Sequence, residues 1–222
     1  MRNSSSLRNA ARIISLLTAA HGLFAQPSAV PKEPHDLPPR ATPADYFAHA
    51  AAGTVTIAAE FAGHGIASPQ GVLISEEYVM VEAAFFGPPD ARLTIAASDF
   101  SLRINGKKTV LPSQPYGLVG KEAKDPEWVP PEGTDKPKSK GSMGSSGGGQ
   151  EAGAPPPLPP KVPVELRRNW QARIQRAALT EGDRALPQAG LLFFQHRGKI
   201  ENVRSVELIY TGPAGSATLT LQ

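Results

Sequence analysis

The run Gly190-Leu191-Leu192-Phe193-Phe194-Gln195 decides the fold. It is the densest apolar stretch outside the N-terminal leader. It is too short for a helix and too apolar for a sheet edge, so it predicts a central strand of an all-β core. Downstream, Arg197-Gly198-Lys199 turns the chain. From Val203 to Tyr210, Val206, Leu208 and Tyr210 share one face and Val203 and Ile209 the other. Gly212-Pro213-Ala214-Gly215 makes a second turn, and Ala217, Leu219 and Leu221 alternate with Ser216, Thr218 and Thr220 in a closing strand.

Upstream, Leu166, Trp170, Ile174 and Ala177 recur at helical spacing. This predicts one amphipathic helix over Val164 to Leu179, ended by Gly182 or Pro187. Residues 130–160 consist mainly of Lys, Gly, Ser and Pro and include Pro155-Pro156-Pro157-Leu158-Pro159-Pro160. Such a stretch buries too little apolar surface to offset its ordering entropy, so it reads as a disordered insertion within one domain. Before it, Pro115-Tyr116 and Asp125-Pro126-Glu127-Trp128 are expected to fold back onto the sheet through their rings.

The first half supplies the partners. Val55, Ile57, Ala59 and Phe61 alternate with Thr56, Ala58 and Glu60. Tyr78 to Phe86 is apolar on both faces except at Glu82, the mark of another central strand. Val72-Leu73-Ile74 and Leu93 with Ile95 suggest short strands. Phe100, Leu102 and Ile104 precede Asn105-Gly106, which predicts a type I′ hairpin with Lys107 to Leu111, because both central residues need positive φ. Ala44 to Ala52 reads as an alanine-rich turn, possible as a helix. The expected fold is all-β: an immunoglobulin-like antiparallel β-sandwich of seven to eight strands, with the helix in a long crossover.

Residues 1–25 carry Arg2, Arg8 and Arg12, then the apolar run Ile13 to Ala20, then small residues before Gln26-Pro27. That is the layout of a secretory signal peptide cut after Ala25. The apolar run is well short of the roughly 20 residues of a membrane span, so no span is expected after cleavage. Residues 26–43 read as a proline-rich linker and 44–222 as one domain. The expected location is periplasmic or extracellular. The absence of cysteine excludes a lipoprotein anchor, a disulfide framework and thiolate chemistry.

The net charge of +3 equals the contribution of the three leader arginines. Without them the chain is neutral, which removes the charge argument for nucleic-acid binding. Residues 26–100 hold 3 basic and 9 acidic residues, and residues 161–204 hold 9 and 4. The two segments are expected to face each other, with a basic surface for an acidic partner as the sharper alternative.

No catalytic, metal or cofactor site emerges. The histidines His35, His49, His64 and His196 lack ligand spacing, although His49 and His64 flank a predicted strand. Gly141-Ser142-Met143-Gly144-Ser145 lies in the insertion and does not match a nucleophile elbow. Glu76 and Glu77 are adjacent and would point to opposite faces of a strand, which makes them a poor acid–base pair. Gly147-Gly148-Gly149 lacks the strand–helix context of a phosphate loop. Arg167, Arg168, Arg173 and Arg176 on the helix are the best electrostatic feature and the candidate partner-binding residues. The competing reading is that they solvate the outer helix face or pair with the acidic first half.

The series Tyr78-Val79-Met80-Val81-Glu82, then Ser98-Asp99-Phe100-Ser101-Leu102, then Gly190-Leu191-Leu192-Phe193-Phe194 and a closing strand resembles the telokin-like immunoglobulin-like accessory domains of exported bacterial proteins. The resemblance covers residues 53–111 and 188–222 and implies a sandwich with no assigned catalytic residues. The chain departs from that pattern in its insertion, its arginine-rich helix and its lack of a lipoprotein cysteine. The expected function is a non-enzymatic binding or structural module of the cell envelope, with an unknown envelope protein or acidic surface as partner. Two alternatives stand beside it. One is a hydrolase or metal-dependent enzyme at the strand-end loops near His49, His64 and Asp99. The other is an adaptor or chaperone-like protein that binds a partner through a sheet edge.

Overall fold

A computed structural model describes residues 37–129 and 162–222. The expected signal peptide, the first part of the expected linker and the expected insertion lie outside the described residues. Twelve strands and two α-helices follow in chain order: β1 (Ala48–Ala52), β2 (Val55–Gly63), β3 (Gly65–Ser68), β4 (Gly71–Ile74), β5 (Tyr78–Phe86), β6 (Arg92–Ile95), β7 (Phe100–Ile104), β8 (Leu111–Gln114), α1 (Tyr116–Glu122), α2 (Val164–Ala177), β9 (Gly182–Ala185), β10 (Gln188–Gln195), β11 (Val206–Gly212) and β12 (Gly215–Thr220). Eight of them form one sheet in the order β1-β2-β5-β10-β8-β7-β11-β12, and β3–β4 and β6–β9 form two-stranded sheets.

The run at Gly190 is central, as its composition requires. β10 pairs antiparallel with β5 along its whole length, with Gly190 opposite Ala83 and Phe194 opposite Val79. Period-two alternation then splits its side chains between two cores. Leu192 and Phe194 enter the larger one, and Leu191 and Phe193 enter the one beneath α2.

The larger core lies between the two halves of the sheet. Ile57, Val79, Val81 and Phe85 meet Phe100, Leu102, Val206, Leu208, Tyr210 and Leu219 across it. The rings of Phe85, Phe100 and Tyr210 form a mutual cluster with centroids 5.0 to 5.8 Å apart. β8 joins the halves: Leu111 and Pro112 pair with β7, and Ser113 and Gln114 pair with β10. The fold is therefore all-β and antiparallel, but the ladder is one continuous curled sheet. At its ends β1 and β12 come alongside without pairing, which makes it nearly a barrel. Gly53, at φ +61°, permits this approach, since a Cβ there would lie 2.5 Å from the Ala214 carbonyl oxygen.

The second core sits on the outer face of β5 and β10. Trp170, Ile174 and Ala177 of α2 cover Tyr78, Met80, Leu191 and Phe193, with Ile66, Leu73 and Val119 closing the sides. The helical spacing read from the sequence is thus the buried stripe. The helix stops at Ala177, two residues sooner than expected, and neither Gly182 nor Pro187 ends it. Ala178 turns extended, and the Leu179 N–H donates to the Leu191 carbonyl at 3.0 Å. Gly182, at φ +94°, instead opens β9, which pairs with β6.

Two further local readings change. Alanine-rich Ala48 to Ala52 is a strand rather than a turn or helix, because the Gly53 turn folds it onto β2 with Ala50 opposite Ile57. Asn105 and Gly106 do have positive φ, at 54° and 63°. Yet the second arm begins only at Leu111, not Lys107. The turn docks elsewhere. Asn105 Oδ1 accepts from the Arg204 and Ser205 amides, and Nδ2 donates to the Asn202 carbonyl. This fixes β7 against β11, its long partner.

The end of the proline-rich stretch is also tied to the sheet. Glu60 and Glu82 face each other across β2 and β5, an unfavourable like-charge pair. Arg40 bridges them, with Nη1 at 2.6 Å from Glu60 and Nη2 at 3.2 Å from Glu82. Its guanidinium also lies 4.4 Å from the Tyr46 ring centre. Partial burial disfavours the Arg40 charge, but the hydrogen bonds and charges of Glu60 and Glu82 outweigh it and hold the pKa above the usual arginine value. Arg40→Ala leaves the two carboxylates facing each other. It is expected to cost about 1 kcal/mol in urea unfolding, most of it recovered in Arg40→Ala with Glu82→Gln.

Candidate binding face

α1 and α2 pack side by side outside the second core and leave an open groove of about 340 Å³. Its walls are Tyr116, Gly117 and Gly120 from α1 and Arg168, Gln171, Ala172 and Gln175 from α2. Two glycines on α1 make this possible. A Cβ on Gly120 would meet Gln171 Cγ at 3.0 Å, so the helices approach closely there, and Gly117 leaves its side of the groove open. The α2 residues are those the buried stripe leaves over: Trp170, Ile174 and Ala177 point to the sheet, so Arg168, Gln171 and Gln175 point out.

The chemistry of this lining is compact. Tyr116 offers a ring face and is 41% exposed. Gln171 and Gln175 offer amide donors and acceptors. Arg168 offers a fixed positive charge, and its side chain is 70% exposed. Its ion pair with Glu165, 3.3 Å away and one helical turn earlier, is solvent-exposed and therefore weak.

The four arginines expected to act together do not share one surface. Arg173 is buried at 3% exposure. It donates from Nε to Ser68 Oγ at 3.0 Å and from Nη2 to the Gly71 carbonyl at 2.9 Å, with Asp125 at 3.6 Å. It belongs to the packing of α2 on the β3–β4 turn. Arg167 donates to the Val162 carbonyl at 3.3 Å and remains exposed. Arg176 is half-buried in the last turn of α2. Arg168 alone of the four lines the groove.

Facing of the acidic first half and the basic second half is seen where Arg197 binds Glu77 at 2.9 Å. Glu76 goes instead to Lys124 at 3.2 Å, so the adjacent glutamates do separate.

His49, His64 and Asp99 are not brought together. His49 is exposed at mid-β1, opposite Ala58. His64 follows the far end of β2 and touches the Tyr78 and Gly198 carbonyls. Asp99 lies at the other end of the sheet, beside Tyr210 and Gly212. There, burial and then the nearby Glu181 charge raise the Asp99 pKa above the usual carboxylate range. Burial likewise raises Tyr210, against the hydrogen bond from the Ala214 amide, with Asp99 adding to the rise. Among the described residues no three His, Asp or Glu side chains come together in a way that would hold a metal ion. No helix among them is long and apolar enough to cross a membrane.

No known protein-family model matches the chain, and neither the curated proteins nor the solved structures contain a match. The α1 wall was invisible in the sequence, because Tyr116-Gly117-Leu118-Val119-Gly120 carries two residues of poor helix propensity. Gln171 and Gln175 were visible only as the outward side of α2.

Proposed function

We propose that this chain is an exported, non-enzymatic binding module of the cell envelope, built on an immunoglobulin-like core of the telokin-like kind, and that the α1–α2 groove takes an anionic saccharide. The observation that supports this reading is the lining itself. A ring face suits the apolar face of a sugar, side-chain amides suit its hydroxyls, and Arg168 suits a carboxylate. Among the described residues, the ion-pair partner a ligand carboxylate would displace from Arg168 is the exposed Glu165. The leader and the proline-rich stretch support the envelope location. Among the described residues the two edges of the main sheet, β1 and β12, lie alongside each other, which counts against a partner strand adding to either of them.

The test is titration calorimetry of the chain from Gln26 onward against uronic-acid oligosaccharides and their neutral counterparts. Binding to the acidic series alone is expected. Arg168→Glu and Tyr116→Ala should each weaken it about tenfold or more while shifting the unfolding free energy by less than about 0.5 kcal/mol. Equal binding by Arg168→Glu and the parent, or no binding to either series, would overturn the reading. N-terminal sequencing of protein recovered from the envelope should begin at Gln26.

A further inference from the structure

The β7–β8 loop, residues 105–110, and the β10–β11 loop, residues 196–205, meet at one end of the sheet, where β2 finishes at Gly63 and β5 begins at Tyr78. Backbone bonds and apolar contacts hold both loops in place. The Asn105 amide donates to the Ser205 carbonyl at 2.9 Å, and the Asn105 side chain bonds to the backbone at Asn202, Arg204 and Ser205. Ile200 lies over Gly63, where a Cβ would meet its Cδ1 at 3.7 Å, and Val203 is buried in the larger core. The Val203 carbonyl also accepts from Gln222 Nε2 at 2.9 Å.

With Ile200 and Val203 turned inward, Lys199 and Arg204 are left exposed, and so are Lys107 and Lys108 on the other loop. Lys107 reaches across to the second loop: after burial and His64, its charge helps to hold the His196 ring below the usual histidine range. Elsewhere among the described residues Arg40, Arg92, Arg103 and Lys124 each bind a carboxylate. Lys107, Lys108, Lys199 and Arg204 form no ion pair among the described residues. The acids beside them do not neutralise this end. Glu76 and Glu77 are engaged by Lys124 and Arg197, and Glu201 is the acid of the two loops. The chain without its leader arginines is neutral, so this is a local excess that folding assembles from segments about a hundred residues apart. None of the four cations lines the α1–α2 groove.

We propose that this end of the sheet is a docking surface for an anionic lipid bilayer, held at headgroup level by Lys107, Lys108, Lys199 and Arg204. Lysine predominates in this set. Its ammonium is a point charge on a pliant stem, without a planar fork. That suits a field of phosphates free to move beneath it better than a single carboxylate in a fixed pose. The tip of the first loop is open to a broad surface, since a Cβ on Gly106 would meet nothing within 4 Å. None of the large apolar side chains exposed among the described residues lies on either loop. Nothing on these loops therefore wedges into the hydrocarbon, and the attachment is electrostatic and reversible.

The test is co-sedimentation of the chain from Gln26 onward with vesicles of phosphatidylcholine alone or with about one-third phosphatidylglycerol. Binding is expected to the anionic vesicles only, falling about tenfold or more between about 0.05 and 0.5 M salt. Each cation at an anionic surface strengthens binding about fivefold. Lys108→Gln with Arg204→Gln should therefore weaken it roughly twentyfold. Arg92→Gln with Arg184→Gln removes the same charge from β6 and β9 and should leave binding within about twofold. Urea unfolding checks that each variant keeps its fold. If the Lys108 and Arg204 pair does not fold, Lys107→Gln and Lys199→Gln singly, at about fivefold each, take its place. No binding to anionic vesicles, equal binding to both vesicle types, or full binding by the loop variants would overturn the proposal. So would binding to soluble polyglutamate with none to the anionic vesicles.

Discussion

Gly190→Ala is expected to destabilise the domain by roughly 3 kcal/mol or more, the cost of overpacking a site that cannot relax together with a lost hydrogen bond. A Cβ on Gly190 would lie 2.4 Å from Leu179 Cα, 2.5 Å from Leu179 N and 2.8 Å from the Ala178 carbonyl carbon. All three are main-chain atoms, so no side chain can swing aside. Here the chain leaving α2 crosses β10. Ala178 bridges Leu191, and the Leu179 amide bonds to the Leu191 carbonyl. Pushing the crossing outward breaks that bond and lifts α2 from Leu191 and Phe193. Urea unfolding followed by tryptophan fluorescence reads this directly, because Trp170 of α2 packs edge to face against Trp128 at 6.3 Å. Gly117→Ala is the control. Its Cβ meets nothing within 4 Å, and helix propensity favours it by up to about 1 kcal/mol. A Gly190→Ala protein as stable as the parent would show that the crossing is not close-packed.

Arg173→Leu is expected to cost about 3 kcal/mol, as removal of one member of a buried polar network does. The guanidinium joins α2 to the β3–β4 turn through Ser68 and the Gly71 carbonyl, and to Asp125 ahead of the insertion. Leucine fills part of the volume but leaves the Gly71 carbonyl and the Asp125 carboxylate without this partner. Gly71 sits at φ +114°, a geometry the turn holds with help from that bond. Limited proteolysis should open first at the β3–β4 turn. Arg168→Leu, five residues earlier on the same helix, should leave stability within about 0.5 kcal/mol and affect ligand binding instead. Equal stability losses at Arg168 and Arg173 would contradict a packing role for Arg173 and a binding role for Arg168.

Helical phase places Arg173 inward, but its partners come from a distant segment. Arg167, Arg168, Arg173 and Arg176 are alike in residue type, but Arg173, three residues after Trp170 and four before Ala177, falls on the buried stripe by helical spacing. It is buried because the β3–β4 turn reaches over α2 and presents hydroxyl and carbonyl acceptors, a contact between segments about a hundred residues apart. Alanine-rich β1 was misread for a related reason. Alanine favours helix locally, and only pairing with β2 makes it a strand. The second arm of the Asn105-Gly106 turn moved because Asn105 found acceptors and donors at residues 202–205.

What the sequence determined by itself was whatever depends on periodicity and local backbone preference. Two strands apolar on both faces had to be central, α2 had to bury Trp170 and Ile174, and Asn105-Gly106 had to turn with positive φ. Tertiary structure alone decided which halves of the sheet β8 would join, which acceptors would hold the buried arginine, and which residues would wall a groove. Each of those outcomes is a contact between distant segments. The energy of such a contact lies in atoms that no local window of sequence contains.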